Sequence, residues 1–389
     1  MTCASALSTA QDSATALRDV VDRVAAGLGD SPGSIAVAFV SPHHAGALAD
    51  LARLCRERRI ADHFLAVTGE TIIGDGREVE GSAAVSLWAI RLPDLVKIRP
   101  VRLTWNESEV IGLPDDSAAL GSSGRTALLL GDPFSFPADR LFQTLETLAP
   151  GLRVVGGMAS GSHAPGGNRL ALDGEVFDDG AVGLILDGPL AIRTVVSQGC
   201  RPVGRSMIVT RAERNVIREL GRRPAVEVLR ETYDELDEDD QELIREGLHV
   251  GLVINEYQEA FGRGDFLIRN VLGADDSGGI AITDHVRVGQ TVQFHVRDAQ
   301  TADDDLRSML ADDRAKNARS GAAGGLLFSC NGRGSRLFSE HDHDVKAIRD
   351  AYGPIPVAGF FAMGELGPVG GKNFVHGFTA SLALFGDDA

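Results

Sequence analysis

The chain is poor in cysteine, poor in positive relative to negative charge, and without a long apolar run. Its four cysteines, Cys3, Cys55, Cys200 and Cys330, are too few and too scattered for a disulfide framework, and no pair has metal-ligand spacing. Free thiols and no metal site are expected. Lysine and arginine number 38 against 55 acidic residues, a formal charge of −17 that repels phosphate backbones and anionic lipid. Neither nucleic acid nor a membrane surface is therefore expected as a partner. No stretch approaches the ~18 apolar residues of a spanning helix. The start, MTCASALSTAQDSATALRDVV, lacks a basic segment followed by an apolar run, so a cytoplasmic location is expected. No Walker lysine motif occurs, and GRGSRL lacks the third glycine of a dinucleotide fingerprint, which leaves no cofactor to expect.

What is present is a repeat. Three segments, beginning at residues 34, 126 and 324, share one grammar: apolar run, turn, amphipathic stretch, second apolar run, glycine-rich connection, third run. The amphipathic stretches are helical by spacing. Leu48, Leu51, Ala52 and Cys55 fall on one face, as do Leu141, Leu145, Leu148 and Ala149, and then Val345, Ile348 and Tyr352 before Gly353. The expected fold is mixed α/β (α+β): strand-helix-strand-loop-strand units forming mixed sheets covered by helices, in two similar halves. The crossover is long enough for the first two strands to lie parallel, and the third run should return antiparallel. Residues 248 to 298 read as a worn fourth copy that has lost its helix. RAERNVIREL reads as helix-like and is broken by GRRP, which places a division near residue 222. The acidic run 231–246 reads as a solvated helical face. Three parts follow: a leading helical segment over 1–33, a domain over 34–222 and a domain over 223–389.

Parallel strands joined by a helix put their carboxyl ends on one sheet edge. In the third copy that edge gathers Cys330, Asn331 and Arg333 beside Met363, Glu365, Lys372 and Asn373, and in the second it holds Ser160 and His163. Arg333, between Gly332 and Gly334, reads as a donor fork on an open loop, suited to a carboxylate. Glu365 would accept from an ammonium group, and together they describe an amino-acid-like ligand. Three plainer readings stand beside this one. Arg333 and Glu365 can pair with each other, the glycines can serve tight hairpins, and Cys330 can fill space at a strand end. A nucleophilic Cys330 with His343 or His376 as base is a further alternative. His341 and His343 lie about 200 degrees apart on a helix and cannot readily share an ion, so the acids of EHDHD read as dipole-complementing residues in a first turn.

LLFSCNGRG, VVSQGCRPVG and HDVKAIRDAYGPIPVAGFFAMGELGPVGGKNFVHGFTASLALF together resemble the FIST proteins, from residue 34 to the end. The resemblance implies FIST N-terminal and C-terminal domains, a sensory role in signal transduction, a small-molecule ligand, and a separate partner protein to carry the output. It brings no catalytic residue set, so no enzyme activity is expected. The motif positions it covers are Cys200, Cys330, Gly332, Arg333, Gly334, Glu365, Gly370, Gly371, Asn373 and His376. A ligand-free interaction scaffold is the alternative function, and a cysteine-dependent enzyme comes after it.

Overall fold

Short apolar runs alternate with amphipathic stretches, and nearly every one becomes the element its periodicity calls for. The computed structural model describes residues 1–114, 124–258, 260–262, 264–318 and 321–386. First come β1 (Thr2–Ser8) and α1 (Ser13–Leu28), whose N-cap Asp12 accepts from the Thr15 amide at 2.8 Å and whose stripe Leu17, Val20, Val21, Val24 and Leu28 is buried. The first repeat is β2 (Gly33–Val40), α2 (Leu48–Glu57), β3 (Ala61–Thr68), the hairpin β4 (Ile72–Gly74) and β5 (Arg77–Val79), and β6 (Val85–Arg91). After β7 (Lys97–Trp105) and β8 (Val110–Ile111), the second is β9 (Thr126–Gly131), α3 (Ala138–Leu148), β10 (Arg153–Met158), the hairpin β11 (Leu170–Leu172) and β12 (Glu175–Phe177), and β13 (Ala181–Asp187).

β14 (Ala191–Ser197) then precedes β15 (Cys200–Glu213), β16 (Val216–Leu220), β17 (Arg223–Pro224), α4 (Ala225–Glu235) and α5 (Glu238–Glu246). Next come β18 (His249–Val253), β19 (Phe266–Ala274), β20 (Ile280–Ile282) and β21 (Thr291–Arg297). After α6 (Ala299–Lys316), the third repeat is β22 (Gly324–Cys330), α7 (His343–Tyr352), β23 (Val357–Ala362), the hairpin β24 (Glu365–Val369) and β25 (Lys372–His376), and β26 (Ala380–Gly386).

The chain forms two compact units. One holds Met1–Val196, Arg307–Val375 and Thr379–Ala389, and the other Ser197–Leu306 with His376–Phe378. This partition interleaves along the chain, whereas the sequence division near residue 222 is one of chain order.

In the first unit each repeat pairs its first two strands in parallel: β2 with β3, β9 with β10, and β22 with β23. Its last strand returns antiparallel to the first in all three. The hairpins then exchange in a ring. β4 of the first repeat pairs with β23 of the third, β24 of the third with β10 of the second, and β11 of the second with β3 of the first. Each hairpin thus covers the free edge of another repeat's parallel pair, an edge that would otherwise offer unpaired amides and carbonyls. The turns that make this possible are Asp75-Gly76, Asp173-Gly174 and Gly370-Gly371, with φ of 49° and 70°, 48° and 103°, and 58° and 81°. Two consecutive positive φ angles are what a tight two-residue hairpin requires, so the Gly-rich 356–385 stretch owes this pair to its hairpin. Where the sheets face one another, Phe39 stacks on Phe360 at 5.5 Å and meets Phe328 edge-on at 6.3 Å, so one aromatic from the first repeat locks two from the third.

The second unit is an antiparallel ring. Strands run β15, β21, β18, β19, β20, β16, and β16 pairs back to β15. Closure works because β15 is long: its first part, as far as Ile208, pairs with β21 across a register shift between Val203 and Met207, and its last part, from Val209, pairs with β16. Val250, Leu252, Ile282, Phe294 and Val296 belong to the core of this unit.

Three expectations change here. The segment 248–298 keeps the antiparallel return, β18 beside β21, but its second strand also runs antiparallel, because losing the helix removed the crossover that parallel pairing needs. The helix-like RAERNVIREL is a hairpin between β15 and β16, turning at Arg214 with φ 54°, where β-branched Val216 and Ile217 favour strand. The acidic run is two helices, α4 and α5, separated where Asp237 caps the second by accepting from the Asp240 amide.

Candidate functional site

The carboxyl ends of β3, β10 and β23 meet in a triangle of backbone bonds within the first unit. Thr68 N donates to Arg169 O at 3.0 Å, Met158 N to Gly364 O at 2.9 Å, and Phe361 N to Thr71 O at 3.0 Å, the same bond made three times around the ring. One layer further out, Ser160 N donates to Thr68 O at 3.2 Å and Met363 N to Met158 O at 3.0 Å. The third bond of that layer is indirect. The Ser160 hydroxyl donates to Phe361 O and accepts from Glu70 N at 2.9 Å, so one buried side chain joins all three repeats. Gly157 lies in the same place because a Cβ there would come within 3.0 Å of the Ala362 methyl and 3.1 Å of the Phe360 ring.

Repeat equivalence also explains Cys330. Ser41, Asp132 and Cys330 each donate a backbone bond to the residue before the returning strand, Ala84, Gly180 and Thr379. Asp132 then accepts from the amide two residues on, Phe134, at 3.2 Å, and the Cys330 sulfur accepts likewise from Gly332 at 3.4 Å. Both cap a strand-end turn.

The residues named from sequence divide accordingly. Cys330, Asn331 and Met363 are half-buried around the ends of β22 and β23, where Asn331 N donates to Ala362 O at 3.2 Å. Glu365 is buried and accepts from Thr379 through its amide at 3.2 Å and its hydroxyl at 2.6 Å. His163 is exposed on the loop leading to β11. Lys372 and Asn373 are carried by the hairpin to the amino end of β10: Asn373 accepts from Val154 N and donates to Leu152 O, both at 2.8 Å, while exposed Lys372 lies 3.7 Å from Glu146. They are therefore not beside Cys330, because the antiparallel pairing of β24 with β10 runs the hairpin backwards along that strand.

Arg333 is the largest departure. Expected on an open loop, it is wholly buried, donating from Nε and Nη2 to the two oxygens of buried Asp344 at 2.8 and 2.7 Å. A guanidinium without solvent requires such a partner. The Ser329 hydroxyl donates to Asp344 at 2.7 Å, and the His343 ring nitrogen lies 2.9 Å from it. Phe338 stacks on His343 and lies 5.1 Å below the guanidinium. Asp344 does stand in a first helical turn, as read from EHDHD, but its carboxylate serves the arginine. Burial alone would raise the Asp344 carboxyl; the Arg333 charge and the bonds from His343, Arg333 and Ser329 overcome that and hold it well below the usual carboxylate range. Glu78, from the first repeat's hairpin, accepts from the Asp344 and Val345 amides at 2.9 and 3.1 Å, leaving Oε2 without a hydrogen bond among the described residues. Burial, and then the Asp344 charge, push the Glu78 carboxyl up to about 8. Sequence reasoning missed Glu78 and the pairing of Asp344 with Arg333; a hairpin glutamate carries no signal of its own depth.

A groove of about 430 Å³ opens elsewhere in this unit, between β1, α1, the Asp75-Gly76 turn, α7 and the segment 353–357. Ala4, Val345, Ile348, Ile355 and Pro356 give it apolar walls. Arg23 is engaged there: Nη2 pairs with Asp75 at 2.5 Å and Nη1 donates to Leu7 O at 2.9 Å. Arg349 is exposed in the last turn of α7, and its side chain has no hydrogen bond or ion pair among the described residues. Burial pushes the thiol of half-buried Cys3 in the same groove far above its ordinary value, which disfavours the thiolate.

In the second unit, His249 and His295 face each other across β18 and β21. The His249 ring is 4.3 Å from Phe378, which also lies under the Arg297 guanidinium at 5.1 Å and holds φ at 65°. An aromatic residue at such an angle is backbone strain of the kind that clusters at functional sites. Burial pushes both imidazoles down to about 4, assisted at His249 by the Arg297 charge. The His295 Nδ1 donates to the Gln293 carbonyl at 3.0 Å.

These features define a repeat-built mixed α/β protein with ring-exchanged hairpins and no helix, among the described residues, long and apolar enough to cross a membrane. The FIST N domain matches residues 34–223 and the FIST C domain residues 225–368, and the chain belongs to the FIST family. FIST domains are associated with sensing in signal transduction. The chain is 42% identical over 385 residues to an uncharacterized protein of Mycobacterium tuberculosis (strain H37Rv), with 98% of each chain covered. It is also 42% identical over 364 residues to an uncharacterized protein of Mycobacterium bovis, with 92% of each covered.

Proposed function

We propose that this protein is the sensing member of a signalling system, binding a small molecule and passing the signal to a separate partner protein. The observation that carries this reading is the groove of about 430 Å³ in the first unit. Its size falls within the ~300–1,000 Å³ of ligand sites, and it sets apolar walls beside a few polar groups, the usual composition of such sites. The residues around β22 and β23 support the reading less directly, because Ser160, Arg333 and Glu365 already serve the fold.

The test is thermal denaturation against a broad metabolite library, since a ligand specific to the native state raises stability by mass action. A hit should raise the melting temperature of the wild type and fail on Pro354→Trp, which places an indole at the exposed lip of the groove. A hit unaffected by that variant would move the site elsewhere. No hit at all would remove the sensing role from this chain.

A further inference from the structure

We infer that the groove takes a monocarboxylate with a compact apolar body, an inference that rests on the small-molecule reading above. Charge decides the polarity of the ligand. The chain carries −17 overall, yet the groove holds Arg23 and Arg349 against one acid, Asp75. Arg23 and Asp75 neutralise each other at 2.5 Å, and Asp75 Oδ2 also accepts from Leu7 N at 3.0 Å. One cation is left over, Arg349, with no partner among the described residues.

A guanidinium offers a planar fork that matches a carboxylate with two parallel hydrogen bonds, and such charge-assisted bonds are about twice as strong as neutral ones. A single leftover cation balances one negative charge, which fits a carboxylate; a phosphate dianion would need a second. An ammonium ligand is disfavoured, since the groove's one acid is already neutralised by Arg23, and Arg349 adds a like charge. The body of the ligand must be apolar to gain from Val345, Ile348, Ile355 and Pro356.

Three probes of one shape test this: 4-methylpentanoate, 4-methylpentanamide and 3-methylbutylamine, titrated calorimetrically into the full chain, its Arg349→Gln variant and its Pro354→Trp variant. Arg349 is exposed, so its replacement leaves the fold intact, which circular dichroism verifies. The carboxylate should bind the wild type, roughly tenfold or more tighter than the amide or amine, and lose that advantage in Arg349→Gln. Equal affinity for carboxylate and amide, or carboxylate binding unchanged in Arg349→Gln, overturns the inference while leaving small-molecule binding in place. Silence from all three probes also overturns it. The sensing reading then stands or falls separately, on whether some library compound is lost in Pro354→Trp.

Discussion

Arg333 and Asp344 form a two-pronged ion pair at 2.8 and 2.7 Å in which neither side chain reaches solvent. The pair ties the loop after β22 to the first turn of α7, and Phe338 closes it from one side. The Gly332-Arg333-Gly334 loop is therefore bent inward. Gly334 has φ of 60°, and a Cβ there would come within 2.6 Å of the Phe361 ring.

Breaking this pair from one side leaves a buried charge without a counterion. Asp344→Ala should cost about 3–5 kcal/mol in urea denaturation. The double change Arg333→Met with Asp344→Leu should recover most of that loss, because it removes both charges. A single variant as stable as the wild type would show that water reaches the guanidinium.

Glu78 sets a pH dependence of definite sign. Its carboxyl titrates near 4.5 in the unfolded chain and is raised to about 8 in the fold. Between those values the unfolded state binds fewer protons, so this group's contribution to stability is complete below about pH 4.5, falls as pH rises, and is gone above about 8. Glu78→Gln should flatten the profile over that window. Superimposable profiles for variant and wild type would refute the assignment.

The histidines of the second unit act the other way. His249 and His295 are lowered from 6.5 to about 4, so the unfolded state binds more protons in between and stability drains as pH falls through that range. Protection factors of the β18 and β21 amides, with exchange corrected for its intrinsic pH dependence, should fall on acidification from pH 6.5 to 4.5, and His249→Gln should weaken the effect. Amides of β2 and β22 serve as the control; if all four strands respond alike, the histidines are not the cause.

Ser160→Ala removes a hydroxyl that serves two backbone groups, Phe361 O and Glu70 N. Leaving them unsatisfied in a buried junction should cost about 1–3 kcal/mol. A loss within ~0.5 kcal/mol, typical of an uninvolved surface site, would argue that the three repeats do not depend on this link.

Much of the architecture was legible because it rests on local periodicity. The helical stripes at Leu48, Leu51, Ala52 and Cys55 and at Val345 and Ile348 are buried, and each crossover helix does bring two strands parallel. A tight hairpin was one reading of the glycines in 356–385 for the same local reason, and Gly370-Gly371 makes one; the Asp75-Gly76 and Asp173-Gly174 turns carried no reading of their own. The direction of those hairpins was not legible. Nothing in VGGKN says that Asn373 reaches Leu152 and Val154 some two hundred positions away, and so Lys372 and Asn373 were grouped with Cys330 although β24 carries them to the other end of β10.

By itself the sequence determined the repeat, the parallel pairing within the three copies that keep their helix and the family, since all three depend on residues near one another in the chain or on motif identity. Only the tertiary structure decided which side chains are free to act. Whether Arg333 meets solvent or Asp344, whether Ser160 binds a ligand or a neighbouring carbonyl, and whether Glu78 keeps its proton are settled by burial and by partners from other repeats. Electrostatics depends on distance in space and on exclusion of water, and neither is written in the spacing of residues.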